Sequence, residues 1–293
     1  MTRIRDTGRP SAVANRGPLK RHPLISFFVI AYGLAWAIEV PLALSANGVL
    51  PALPTPIAAL VIAAATFAPA AAAFIMTGVL DGKPGVVRLL RRLVLWRVGI
   101  QWYVIVLVGI PVIVLLAALV VPGVAASFQP LVGPMLAAYP LAFLMTVLLG
   151  GPLGEEPGWR GFALPHLQTR FGPLLGSVIL GVMWALWHFP LFWSGVWTPL
   201  NLPNMVMFTV MITGLTIIMT WVFNHAKTSV LLTILMHASF NTFANKGIGT
   251  LFPAPILNDY GLLPVLIGFS VTALVLIVVT RGRLGYRPKA ILA

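Results

Sequence analysis

Apolar stretches as long as a membrane span recur along this 293-residue chain, and they restrict its fold more than any other feature. A helix needs about 20 mainly apolar residues to cross the hydrocarbon core of a bilayer. Hydrophobic residues make up 59% of the chain and charged residues only 9%, which is too little charge for a soluble domain. The sequence therefore predicts an all-α, polytopic integral membrane protein.

The predicted spans number about eight. They lie at 24–46, 57–80, 98–121, 136–153, 173–193, 204–223, 228–246 and 260–280. The first is expected to be a span rather than a cleaved signal peptide, because it contains Glu39 and seven further spans follow it. The chain is thus interpreted as one transmembrane domain, 23–280, between basic tails at 1–22 and 281–293.

The net charge of +13 has an uneven distribution along these spans. With the N-terminus in the cytosol, every Lys and Arg except Lys246 falls on the cytosolic side. The cytosolic set includes the cluster from Lys83 to Arg97, assigned to the loop between the second and third spans, and Arg160, assigned to the segment after the fourth. This pattern predicts cytosolic termini. The expected location of such a multi-pass protein is a bacterial or archaeal plasma membrane. The charge is attributed to orientation and to membrane lipids, so no nucleic-acid partner is expected.

Two of the chain's six acidic residues stand side by side in GEEPGWRG, residues 154–161. Ionisable groups inside a bilayer cost several kcal/mol each, so they are the best indicators of function in such a chain. Glu156 and Arg160 are four positions apart and are predicted to form an ion pair on one helix face. Glu155 points about 100° away and is available for chemistry.

Two further polar groups lie in apolar segments: His188 in MWALWHFPLFW, and His237 with Asn241 in HASFN. The last two are again four positions apart and share a helix face. A carboxylate such as Glu155 could activate water, while imidazole and amide donors stabilise an oxyanion.

Glu155 reaches the depth of the polar groups in the later helices only if the fourth helix continues through GEEPGWRG to about His166. Glu155 then lies about 18 Å into the bilayer, close to the roughly 20 Å expected for His188 and Asn241. The sequence therefore predicts a long fourth element that lines a polar cavity. A bend or break is expected around Gly150-Gly151-Pro152 and Pro157.

Several residues admit structural explanations. His188 could simply bond a neighbouring helix, and Glu156 with Arg160 could be a structural ion pair. Glu39 could support the site, belong to a proton path or lie near the outer interface. The tryptophans of 184–197 are interpreted as an aromatic belt and packing residues. The remaining histidines are assigned to the interface or the basic tail: His22, His166 and His225.

Other protease signatures are missing from the sequence. The chain has no cysteine, which excludes thiolate catalysis and cysteine zinc sites. It has no HExxH or GxSxG motif, and Asp81 and Asp259 fall in predicted loops. A glutamate acting with histidines is what remains.

The EExxxR spacing of EEPGWRG, followed in order by WALWH and HASFN, resembles the CPBP family of CAAX prenyl proteases and bacteriocin-processing proteins, also called the Abi family. The three motifs occupy 155–241, about a third of the chain. Trp184 stands where the second motif often has phenylalanine. The resemblance implies an intramembrane endopeptidase with the α-helical fold of the type II CAAX prenyl endopeptidase, acting on a prenylated or otherwise membrane-associated peptide.

Carried over by position, the resemblance implies a catalytic set of six residues. Glu155 would be the general base that activates water, and His188 would help to hold that water. His237 and Asn241 would stabilise the oxyanion, and Glu156 and Arg160 would brace the site.

The resemblance leaves two alternatives open. Members of the family are often named metalloproteases, and Glu155, His188 and His237 could offer zinc one carboxylate and two nitrogens. None of them has the short helical spacing that preorganises zinc, so a metal-free mechanism is favoured. The rival function is a noncatalytic membrane scaffold or an accessory to proton-coupled transport that uses the same cavity. The transport alternative is weakened because no interrupted helix pair repeats between the two halves of the chain.

Overall fold

The computed structural model describes residues 17–129, 133–195, 200–244, 251–252 and 263–288. Within these ranges all regular secondary structure is helical, as predicted. Lys246, Asp6, Asp259, Trp197 and the outer parts of both basic tails lie outside the described residues. The side of the membrane on which the termini lie stays a prediction.

A short helix, Pro18–Arg21, precedes the main helices of the described chain. These are α1 (Pro23–Ala46), α2 (Thr55–Ala65), α3 (Ala68–Leu93), α4 (Ile100–Leu119), α5 (Gly133–Leu149), α6 (Pro152–Phe171), α7 (Pro173–Trp193), α8 (Leu202–His225), α9 (Val230–Thr242) and α10 (Leu263–Thr280). Two helices contain a wider π-helical turn, at Ile105–Gly109 in α4 and at Trp159–Ala163 in α6. A 3₁₀ turn, Ala125–Ser127, follows α4.

Among the described residues, six helical segments are long and apolar enough to cross a membrane: α1, α2 with α3, α4, α7, α8 and α10. The bent pair formed by α5 and α6 makes a seventh. The predicted span at 228–246 contains α9, which has 13 described helical residues, fewer than the number needed for a full span; residues 245–246 of that prediction lie outside the described ranges. Most of α9 is buried by neighbouring helices. The multi-pass helical fold is confirmed.

Two predictions about basic residues need correction. The chain leaves helical geometry at Gly82, where φ is +64°, close to the predicted end of the second span. The helix then resumes to Leu93, so Arg88 and Arg92 lie on a helix and not in a loop. Arg160 is completely buried, because it is paired inside the protein, and it is not a charge of a cytosolic loop.

Helix α6 occupies the interior of the bundle, packed against α3 on one side and α9 on another. Two glycines of GEEPGWRG permit this close approach. A Cβ on Gly154 would lie 2.5 Å from the carbonyl oxygen of Thr66, and a Cβ on Gly158 would lie 2.6 Å from that of Pro69. Small residues let helix backbones come together in this way inside a membrane. The glycines of the motif therefore set the depth at which its carboxylates are buried.

Gly158→Ala is expected to lower the free energy of unfolding by about 1–3 kcal/mol, because the added methyl group overpacks the contact with α3. Thermal unfolding of the purified protein in detergent measures the change. Gly33→Ala in α1 is the matched control, since nothing lies within 4 Å of a Cβ at that position. Equal unfolding midpoints for the two variants would contradict this account of the packing.

Candidate active site

The bend between α5 and α6 places the paired glutamates at the beginning of a helix. Gly151 has a φ of +102°, a conformation that favours glycine, and the two helix axes differ by 47°. Pro152 starts α6, and Glu155 lies in its first turn, where exposed N–H groups favour negative charge. The predicted long, bent fourth element is confirmed, although α6 continues to Phe171.

The helix also tolerates Pro157, which has no N–H to donate to the preceding turn. Instead of breaking there, α6 widens into the π-helical turn Trp159–Ala163. Such turns are frequent at functional sites. Here the turn contains Trp159 and Arg160, both of which contact the glutamate pair.

The Glu155 carboxylate is held by two indole groups. Its Oε2 accepts a hydrogen bond of 2.7 Å from Trp184 Nε1, and Trp159 Nε1 lies 3.4 Å from the same oxygen. Glu155 is only 3% exposed, so these donors replace water in orienting and partly compensating its charge. They place the carboxylate in a defined position for reaction.

Trp184 is a packing residue, as one part of the prediction said, and not a belt residue, because its side chain is 1% exposed; it also binds Glu155, which was not predicted. A signal for this role was present in the spacing. Trp159 follows Glu155 by four positions, and Trp184 precedes His188 by four, which puts each indole on the same helix face as a candidate catalytic group. Both tryptophans belong to the site.

Glu156 joins α6 to α9. Its Oε1 lies 2.7 Å from a guanidinium nitrogen of Arg160 and 3.0 Å from His237 Nδ1. The predicted ion pair of Glu156 with Arg160 is confirmed, and both side chains are fully buried. Arg160 also lies over the ring of Trp184, 4.4 Å from its centroid, and 3.4 Å from the hydroxyl of Thr216. This network fixes one edge of the His237 ring.

The other two polar candidates are oriented by backbone carbonyl groups. His188 Nδ1 lies 2.8 Å from the carbonyl oxygen of Trp184, one turn earlier in α7. Asn241 donates through Nδ2 to the carbonyl oxygen of Gly150, at 3.0 Å, and so ties α9 to the bend. An amide nitrogen carries two hydrogens, so Asn241 is chemically able to donate a second hydrogen bond.

A cavity of about 470 Å³ brings the candidates together. Glu155, His188, His237 and Asn241 all line it, whereas Glu156 and Arg160 are not among its lining residues. The remaining wall is largely apolar, with side chains that include Ile62, Leu149, Phe192, Phe208 and Phe240. The size and composition are those of a small-ligand site, with a few polar groups on an apolar wall.

The structure separates the other histidines of the described chain from this cavity. His225 is exposed and stacks on Trp102, and His166 lines a different cavity of about 350 Å³. Glu39, whose role the sequence left open, lies in the wall of the 470 Å³ cavity with the candidate catalytic residues. It is buried there, not exposed at an interface.

A catalytic zinc ion takes three protein ligands, usually His, Asp, Glu or Cys. In the part of the chain that the structure describes, no three His, Asp or Glu side chains are grouped so that they could hold one ion. Trp184 and Trp159 approach one oxygen of Glu155, and the hydrogen bond to Glu156 engages one nitrogen of His237. The zinc alternative is not tested by these contacts, and no catalytic step below depends on a metal.

Comparison with known proteins identifies this part of the chain. Residues 137–243 match the family model of the Rce1-like type II CAAX prenyl endopeptidases. For this similarity we call residues 137–243 the Rce1-like segment. The chain is also 34% identical over 113 residues to "CAAX prenyl protease 2" of Methanococcus maripaludis. That alignment covers 35% of this chain and 38% of the relative, so the chain spans well under half of the relative's length.

The Rce1-like segment contains all six predicted site residues: Glu155, Glu156, Arg160, His188, His237 and Asn241. It extends from within α5 to just past the end of α9 and thus includes the bend and most of the residues that line the cavity. Glu39 lies outside it, on α1, although it lines the same cavity. The cavity therefore combines residues of the matched segment with a carboxyl group from outside that segment.

Proposed function

We propose that this protein is an intramembrane endopeptidase in which Glu155 activates water to hydrolyse a peptide bond. The observation that carries the proposal is the Glu155 carboxylate itself, oriented by Trp184 in the wall of a cavity that His188, His237 and Asn241 also line. The similarity to type II CAAX prenyl endopeptidases supports the same reaction class.

Each residue has a role in this reaction. A water molecule held between Glu155 and His188 loses a proton to Glu155 as its oxygen attacks the substrate carbonyl carbon. The carbonyl π electrons move to oxygen, and donors from His237 and Asn241 stabilise the resulting oxyanion. When doubly protonated, His237 donates from one nitrogen to Glu156 and from the other to the oxyanion. Arg160 compensates the charge of Glu156 and keeps this arrangement in place.

The proposed substrate is a peptide that ends in a prenylated CAAX sequence. The support is the name of the matching family together with the apolar cavity wall, which suits a lipid chain or apolar side chains. No metal is required in this proposal, and a plasma-membrane location stays a prediction.

The proposal is tested with purified protein in detergent and quenched fluorescent peptides that end in a CAAX sequence, with and without a farnesyl group. We expect hydrolysis of the farnesylated peptide, slower hydrolysis of the other, and no loss of rate with the chelator 1,10-phenanthroline. His225→Ala, away from the cavity, is expected to retain full activity. If the wild type cleaves neither peptide, the protease proposal is wrong and the noncatalytic scaffold becomes the better interpretation. Loss of activity with the chelator would contradict the metal-free part alone.

Trp184→Phe is expected to reduce peptide cleavage by about 10- to 100-fold, the effect of one hydrogen bond to a charged group worth about 1.5–3 kcal/mol. Phenylalanine keeps an aromatic ring under Arg160 but removes the N–H that orients Glu155. Initial cleavage rates measure the effect, and Trp102→Phe, outside the cavity, is the matched control. A Trp184→Phe enzyme as active as the control would show that the indole does not orient the base.

A further inference from the structure

Glu39 is a buried acid for which no structural role is evident. It is 1% exposed, and neither of its carboxyl oxygens has a hydrogen-bond partner among the described residues. Glu156, a fully buried acid that does not line the cavity, is paired with both Arg160 and His237. A structural carboxyl group would be expected to have such partners. Glu39 instead lines the cavity that contains Glu155.

The position of Glu39 follows from how α1 lies along α7. Tyr32 donates to the carbonyl oxygen of Met183, and Trp36 donates to that of Trp187 at 2.9 Å. The two bonds have the same sequence offset of 151, so the helices run in parallel at this contact. Glu39 is therefore level with Pro190, just beyond His188. These bonds place its carboxyl group on the α1 side of the cavity.

An ionised carboxylate without partners in an apolar site is strongly disfavoured, and the neutral acid is much less costly there. A neutral carboxyl group carries a proton that it can donate. The other titratable groups that face the cavity are Glu155, His188 and His237. Glu155 acts as the base in the proposed reaction, and each histidine has its Nδ1 engaged, with Trp184 or Glu156. Glu39 is the carboxyl group in this wall that has no hydrogen-bond partner among the described residues and no other role in the proposed reaction.

Peptide hydrolysis requires a proton at the leaving nitrogen as well as a base for water, because an amide anion is a very poor leaving group. We propose that Glu39, in its neutral form, is a second catalytic residue that donates this proton; the inference rests on the proposed function. As the tetrahedral intermediate collapses, the oxyanion re-forms the carbonyl group and the C–N bond breaks. The nitrogen keeps the electron pair of that bond and takes the proton from Glu39. The products are an amine and a carboxylic acid, and the proton held by Glu155 then returns through water to Glu39.

The test compares two substrates, one whose leaving group needs a proton and one whose leaving group does not. The cleaved bond of the farnesylated peptide is first located by mass spectrometry. The same acyl segment is then prepared as a nitrophenyl ester, whose phenolate departs without a proton. Glu39→Gln is expected to lower peptide cleavage by about 10²- to 10⁴-fold, the usual contribution of general acid–base catalysis. It should leave ester hydrolysis at the wild-type rate, which also shows that the variant is folded. Glu39→Asp, which keeps a carboxyl group, is expected to recover part of the peptide cleavage.

Glu155→Gln is the control, since loss of the base should lower both hydrolyses. The inference is overturned if Glu39→Gln cleaves the peptide at the wild-type rate, or if it loses peptide and ester hydrolysis equally. In either case an active wild type with an inactive Glu155→Gln variant leaves the proposed function standing. A wild type that hydrolyses neither substrate removes the proposed function and the inference together.

Discussion

Glu155→Gln is expected to lower kcat for the farnesylated peptide by about 10²- to 10⁴-fold, because an amide in place of the carboxylate cannot take the proton from water. Glutamine has nearly the size of glutamate, and its carbonyl oxygen can still accept the hydrogen bond from Trp184. Substrate binding should therefore change little. Single-turnover cleavage at saturating enzyme separates the chemical step from binding.

Asp81→Asn is the matched control for this substitution. It makes the same carboxylate-to-amide change at an exposed residue, paired at the surface with Arg88 and not among the residues that line the 470 Å³ cavity. We expect it to cleave at the wild-type rate. Wild-type cleavage by Glu155→Gln would mean that another group activates the water.

Arg160→Met is expected to lower the free energy of unfolding by about 3–5 kcal/mol, because it leaves the buried charge of Glu156 without its partner. Methionine fills much of the same volume, so the loss reports on charge and not on a cavity. Both side chains of the pair are completely buried, and the bond is short, at 2.7 Å. Denaturant or thermal unfolding in detergent measures the difference.

Two further variants show whether the loss of stability comes from a buried charge left without its partner. One breaks an exposed ion pair, and the other removes both members of the buried pair. Arg88→Met breaks the exposed pair with Asp81 and should change stability by about 1 kcal/mol or less. Replacing both members of the buried pair, Glu156→Leu with Arg160→Met, should recover much of the lost stability. The double variant should nevertheless remain a poor enzyme, because His237 loses the carboxylate that orients it. If Arg160→Met unfolds at the wild-type midpoint, the pair is not the brace described here.

Much of this site could be predicted because helical periodicity is a local property. The spacing of Glu156 and Arg160 was enough to predict their ion pair. The depth argument was enough to predict that the fourth element bends and continues through the motif. Both predictions depend only on the rise and turn of a helix, which a membrane environment strongly enforces.

The features that the sequence did not predict depend on which helices pack against each other. Trp184 was assigned to a belt or to packing because tryptophans in apolar segments usually have those roles, and only the contact of α7 with α6 shows that it reaches Glu155. Gly158 could not be recognised as a contact with α3 from one sequence. Glu39 was undecided for the same reason, since its role depends on the face that α1 presents to α7.

The most direct test of the central claim is hydrolysis of the farnesylated peptide in ¹⁸O-labelled water by the wild type and by Glu155→Gln, both reconstituted in lipid vesicles. Mass spectrometry of the products locates the bond and counts the labelled oxygens. The account predicts a single new cleavage by the wild type, with one ¹⁸O atom in the new carboxyl group, and none above background by the variant. The same labelled product from both proteins at equal rates would contradict it.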